Sequence, residues 1–189
     1  MTARIAALAL GFAAVTAACH PTTSPAHPAA TAAPRSVLAG TWVLVAADDL
    51  QPDGRRTQAY GRAPTGLLMI DDDGRYSLQI FRTDRAPFAA GNKARGTPEE
   101  FAAAVLGMSS HIGRCAIDPV ANTLDFHIEA AQYPNWNGTE QKRQFTLNGD
   151  DLSYQVPTSA SGTVSVPISV WHRIGRPRRL DEAGRKAAW

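Results

Sequence analysis

SHIGRCAIDPVANTLDFHIEA, residues 110–130, alternates apolar and polar side chains on both sides of a turn-forming stretch. In its second arm Leu124, Phe126, Ile128 and Ala130 fall on one face and Asp125, His127 and Glu129 on the other, the period of two that marks a half-buried strand. In its first arm Gly113, Cys115 and Ile117 share one face, with Ile112, Arg114 and Ala116 opposite. If Asp118-Pro119-Val120-Ala121-Asn122 leaves a loop of two or four residues, the apolar faces of the arms coincide. A three-residue loop would set them against each other, so burial selects the former register. Arg114 is then expected opposite His127, with Asp125 and Glu129 as diagonal neighbours.

The same signature recurs outward from this hairpin. Fifteen Gly and 13 Pro punctuate short apolar runs, which favours a chain of strands over a helical bundle. Strands are expected near 40–47, 65–71, 75–83, 110–118, 123–133, 140–148, 151–157 and 165–174, with Asp73-Gly74 and Asn148-Gly149 each closing a two-residue hairpin turn. Asp71-Asp72-Asp73-Gly74 lacks the later ligands of a calcium loop and reads as a turn. One helix interrupts the strands. Thr97 as N-cap, Pro98 at the first position and Glu100 three residues after the cap announce it, and Phe101, Val105 and Met108 follow on one face. It is expected to close a barrel end or cover a sheet edge. Eight sequential antiparallel strands with one apolar face remove their edges by closing, so the expectation is an all-β, eight-stranded antiparallel barrel with one short helix.

Gly40-Thr41-Trp42 near the start of this run and Trp171-His172-Arg173 near its end resemble the lipocalin arrangement, in which a Gly-x-Trp strand packs against an arginine from the closing strand. A guanidinium over an indole is a cation–π contact, a structural role for Gly40, Trp42 and Arg173. Leu38-Ala39-Gly40-Thr41-Trp42, Pro64-Thr65-Gly66-Leu67-Leu68, Asp73-Gly74-Arg75-Tyr76-Ser77, Gly96-Thr97-Pro98-Glu99-Glu100 and Pro134-Asn135-Trp136-Asn137-Gly138 together resemble the bacterial and fungal lipocalin-like domain family, over about 38–174. The resemblance implies a small barrel and no agreed catalytic residues.

Outside that span the chain carries an address. Arg4 precedes an apolar run from Ile5 to Ala18 whose fourteen residues rise about 21 Å as a helix, short of the roughly 30 Å membrane core. Residues 1–18 therefore read as a signal peptide. Thr16-Ala17-Ala18-Cys19 resembles a bacterial lipoprotein processing site, with Cys19 the lipidated residue, and an ordinary signal peptidase would accept the same Thr-x-Ala spacing. Residues 19–37, rich in Pro and Ala, form a tether. Extended as polyproline II it would reach roughly 55 Å. The expected divisions are thus 1–18, 19–37, a barrel at 38–175 and a basic tail at 176–189 that is solvated or touches anionic lipid. The expected location is the cell envelope. With Cys19 acylated, Cys115 has no disulfide partner and reads as a small buried hydrophobe. A formal charge of +2 leaves no basic field for nucleic acid.

Two readings of the Arg114, His127 and Glu129 face stand side by side. It is the solvated outside of the barrel, carrying weak ion pairs, or the wall of a polar cavity in which Arg114 binds a carboxylate or enol oxygen and His127, oriented by a carboxylate, exchanges a proton. Gln79, between apolar neighbours, is either a lumen hydrogen-bonding group or half exposed. Tyr133, Asn135 and Trp136 place aromatics and an amide at one barrel end, for recognition or as a plug. The expected ligand-binding set is Gln79, Arg114, His127, Glu129, Tyr133, Asn135 and Trp136. No metal is expected, since alternation keeps His111 off the His127 face, and no cofactor motif occurs. The expected function is binding or carriage of a small, partly apolar or carboxylate-bearing molecule by an envelope-anchored barrel. The alternatives are a cofactor-free isomerase, cyclase or hydrolase using Arg114, His127 and Glu129, and a scaffold acting through protein contacts.

Overall fold

Alternating side chains make strands, and strands whose apolar side chains all fall on one face make a sheet that must cover that face. A computed structural model describes residues 36–158 and 164–176. It contains β1 (Gly40–Leu50), β2 (Arg56–Thr57), β3 (Thr65–Ile70), β4 (Arg75–Phe81), α1 (Pro98–Leu106), β5 (Met108–Asp118), β6 (Thr123–Ala131), a 3₁₀ turn (Pro134–Trp136), β7 (Glu140–Asn148), β8 (Asp151–Gln155) and β9 (Val166–Gly175). β2 is a two-residue ribbon on the end of β1. The other eight strands pair antiparallel in sequence order, and β9 returns to pair with β1. The result is the closed eight-stranded barrel with one helix, its strands ending within three residues of the expected spans.

The apolar faces point inward. Tyr76, Leu78 and Ile80 of β4, Leu124, Phe126 and Ile128 of β6, and Leu152 and Tyr154 of β8 are all buried. Each large apolar side chain buried in this way contributes about 1.5–3 kcal/mol. The β5–β6 hairpin has the four-residue loop, since Asp118 pairs with Thr123, and Arg114 lies opposite His127 as the alternation requires. One irregularity follows. Ile112 pairs with Ala130 and Gly113 with Ile128, so Glu129 is an extra residue, a β-bulge.

The two ends of the barrel differ. At one, the tight β3–β4, β5–β6 and β7–β8 hairpins surround a filled core containing Leu38, Trp42, Leu68, Leu152 and Trp171. There the seam is locked as the Gly-x-Trp and arginine pattern implies. The Arg173 guanidinium lies 4.1 Å from the Trp42 ring, donates to the carbonyls of Ala39 (2.8 Å) and Val37 (2.9 Å), and stands 3.2 Å from Asp150. Trp42 Nε1 donates to the Leu38 carbonyl at 3.0 Å. A Cβ on Gly40 would sit 2.6 Å from the Gly175 carbonyl oxygen, so only glycine fits the seam. At the other end, the longer β1–β3, β4–β5, β6–β7 and β8–β9 connections gather, with α1 and the 3₁₀ turn among them.

Two local expectations need correction. Asp73-Gly74 closes a three-residue loop. Asp71 N donates to the Arg75 carbonyl, the Asp71 carboxylate accepts from Asp73 N and Arg75 N, and Gly74 at φ +80° supplies the left-handed last position. Asn148 pairs with Asp151, leaving Gly149 and Asp150 as a two-residue turn. The helix has the complete capping box at Thr97 and Glu100 but ends at Leu106. Met108 is the first residue of β5, paired with Phe81, because the neighbouring strand takes the chain as soon as Gly107 is passed. The signal peptide, Cys19, the tether up to residue 35 and the tail beyond Arg176 lie outside the described residues.

Candidate functional site

The open end leads into a cavity of about 390 Å³, at the small end of the range of ligand pockets. Its apolar wall comes from Leu78 and Ile80 of β4, Met108 of β5 and Val105 and Leu106 of α1. The helix covers this end. It buries none of its own residues fully, sets Phe101 edge to face with Phe88 at 5.4 Å, and is tied to the β6–β7 connection by Gln132 Nε2 donating to the Val105 carbonyl at 2.9 Å.

Among the polar residues that line the cavity, His111 and Arg143 are the buried ones that carry a titratable nitrogen, each placed there by strand alternation. On β5, His111 has the parity of Gly113 and Cys115 and points inward, 2% exposed. Its Nδ1 shares a 2.9 Å hydrogen bond with the Tyr76 hydroxyl. Its ring meets those of Tyr76, Phe126 and Trp136 edge to face, at 5.3, 5.7 and 5.8 Å. Burial, reinforced by the charge of Arg143, pushes its pKa down to about 3, so the imidazole is neutral. Burial likewise drives the Tyr76 hydroxyl above its usual range.

On β7, Gln141 and Arg143 point inward and Lys142 and Gln144 outward. Arg143 is 2% exposed. Its guanidinium packs over Phe126 at 4.3 Å and Tyr154 at 5.2 Å, and Nη2 donates to Gln141 Oε1 at 2.7 Å. Its Nε has no hydrogen-bond partner. Tyr154 Oη lies near Arg143, Trp171 and Ser169, yet none of these closes a hydrogen bond of good geometry. Among the described residues no carboxylate pairs with Arg143, although burial disfavours its charge. The one acid in the cavity lining, Asp49, stands at the open end of β1, where burial and then Asp48 raise its pKa and its charge acts on Tyr60.

The expected ligand-binding set is distributed differently. Tyr133 and Trp136 line the cavity, with Tyr133 edge-on to Trp136 at 5.8 Å. Arg114, His127 and Glu129 do not. The apolar alternation that sends Leu124, Phe126 and Ile128 inward puts these three on the outer face, their side chains 53, 51 and 41% exposed. Arg114 and Arg75 approach Glu129 at 3.9 and 3.8 Å, and His127 approaches Glu140 at 3.6 Å. Arg114 and His127 border an outer groove with Asp73, Asp125 and Glu140, Glu129 borders another beside Arg75, and exposed pairs of this length are weak. Gln79 is also outside, half-buried, its amide donating to the Ser77 hydroxyl, and Asn135 is exposed in the 3₁₀ turn. His111, opposite in face to His127 as alternation requires, and Arg143 take the polar places in the lumen. Cys115 faces inward against the core, where burial, then Asp71, pushes its thiol up to about 12.

A closed up-and-down barrel of eight strands, filled at one end and hollow at the other, is the lipocalin type of architecture, sized to hold one small ligand. The model of the lipocalin-like domain family matches residues 39–174, and the chain belongs to that family. No curated protein matches the chain.

Proposed function

We propose that the barrel binds a small, partly apolar molecule in its lumen. The observation that carries this reading is the cavity of about 390 Å³ at the open end, walled by aliphatic and aromatic side chains and furnished with a few buried polar groups, His111 and Arg143 foremost. Sites that hold small molecules share this composition, an apolar wall with a few fixed polar groups. The test is native mass spectrometry of the full chain purified gently from its own host, before and after solvent extraction. A mass increment of a few hundred daltons, lost on extraction and restored by adding the extract back, is the expected result. A bare mass that stays bare on titration with the extract overturns it.

The reading extends to place. A leader over residues 1–18, with Thr16-Ala17-Ala18 directly before Cys19, supports acylation of Cys19 and an envelope tether. Labelling of the wild-type chain by a palmitate analogue in growing cells, abolished by Cys19→Ala, is the expected result. An unlabelled wild-type chain sinks the tether.

A further inference from the structure

We infer that the ligand of this lumen carries a carboxylate and that Arg143 receives it; the inference rests on the lumen reading above and names the chemistry of its polar end. A buried cation without a counter-ion is strongly disfavoured, and proteins pair such charges or place them where a ligand supplies the partner. Arg143 is buried, and no carboxylate among the described residues acts on it, the groups that favour its charge being the Tyr154 and Tyr76 hydroxyls. It borders the cavity, so the missing anion has a place to stand.

The guanidinium is held ready. Phe126 and Tyr154 pack against it, and Gln141 takes one donor, which fixes the orientation of a planar five-donor fork. The Nε donor is left without a partner. A carboxylate matches such a fork with two parallel hydrogen bonds, whereas a phosphate monoester brings close to two charges against a single arginine. The surroundings favour a monoanion over a cation. His111, on the neighbouring wall, offers an uncharged imidazole tied to Tyr76 and no competing anion. Asp49, the acid of the lining, stands at the open end and so disfavours a carboxylate left at the mouth. Leu78, Ile80, Met108 and Trp136 leave the rest of the ligand apolar.

The test compares two probes that share one tail, decanoate and decan-1-ol, by calorimetric titration of the full chain. We expect decanoate to bind at least about tenfold tighter, the advantage of a charge-assisted hydrogen bond over a neutral one. Arg143→Met is expected to reduce that ratio below about threefold without loss of thermal stability, because replacing an unpaired buried charge by an apolar side chain of similar length is neutral or stabilising. An alcohol that binds as well as the acid in the wild-type chain overturns the assignment and leaves the lumen reading standing. An acid preference that survives Arg143→Met overturns it as well. Failure of both probes to bind, with an extractable native adduct also absent, removes the lumen reading and this inference together. Should Arg143→Met fold poorly, Arg143→Gln, which keeps a polar partner for Gln141 without the charge, takes its place in the same comparison.

Discussion

Gly113 shows how closely a single residue is specified. Its strand crosses the bulge at Glu129, and a Cβ there would lie 2.0 Å from the His127 carbonyl oxygen, a backbone atom that cannot swing aside. Gly113→Ala must therefore push β5 and β6 apart. The expected loss is roughly 1–3 kcal/mol, the usual cost of overpacking that forces the backbone to shift. A urea unfolding curve with a lower midpoint and an unchanged slope measures it. A midpoint within experimental scatter of the wild-type value would mean that the bulge is absent in solution. Alternation in the sequence places Gly113 on the inward face but cannot show the bulge, because an extra residue on a partner strand leaves no mark in the pattern of either strand alone. The Trp42 and Arg173 contact was readable, since two residues with one chemical use stood at the two ends of the strand series.

Elements were legible where a local rule fixes them. The β5–β6 register followed from burial and loop length, and α1 from its capping box. The Asp73-Gly74 loop was read one residue short because the Asp71 side chain replaces a backbone partner within the turn. The lumen was the larger miss, and β7 explains why. Phe145 and Leu147 set a period of two whose continuation toward the start of the strand passes through Arg143 and Gln141. The period alone is a weak guide there, because Gln141 and Arg143 are polar, whereas the alternating charges of β6 at Asp125, His127 and Glu129 stand out. What separates Arg143 from Arg114 is the parity of their apolar neighbours along each strand. A second signal also existed at this scale. In an up-and-down barrel the connections alternate between ends, so the four longer ones collect at one end and mark it as the covered mouth of the cavity.

At the scale of the whole molecule, the inward placement of His111 couples stability to acidity. In the folded barrel this imidazole takes a proton only near pH 3, whereas in the unfolded chain it does so near its ordinary value of 6.5. Between those limits the unfolded state binds more protons, so stability falls as pH drops below about 6.5 and continues to fall toward 3. One proton sets a slope of at most about 1.4 kcal/mol per pH unit. Asp84, Glu99, Glu100 and Asp118 also have depressed pKa values, through their hydrogen bonds, and add their own losses only as pH falls through the carboxylate range, whose ordinary values are 3.8 and 4.5. Asp49, with its carboxyl raised by burial and then by Asp48, acts in the opposite sense, above its ordinary value of 3.8. The ordinary histidine value opens the interval from pH 6.5 to 5, and His111→Gln, which preserves a polar partner for Tyr76 without titrating, isolates the residue from every carboxyl, Asp49 included. Urea midpoints measured across that interval are expected to decline in the wild-type barrel more steeply than in the variant. Parallel declines would mean that His111 meets water in the folded state, and the lumen would then lack the dry, uncharged wall beside Arg143.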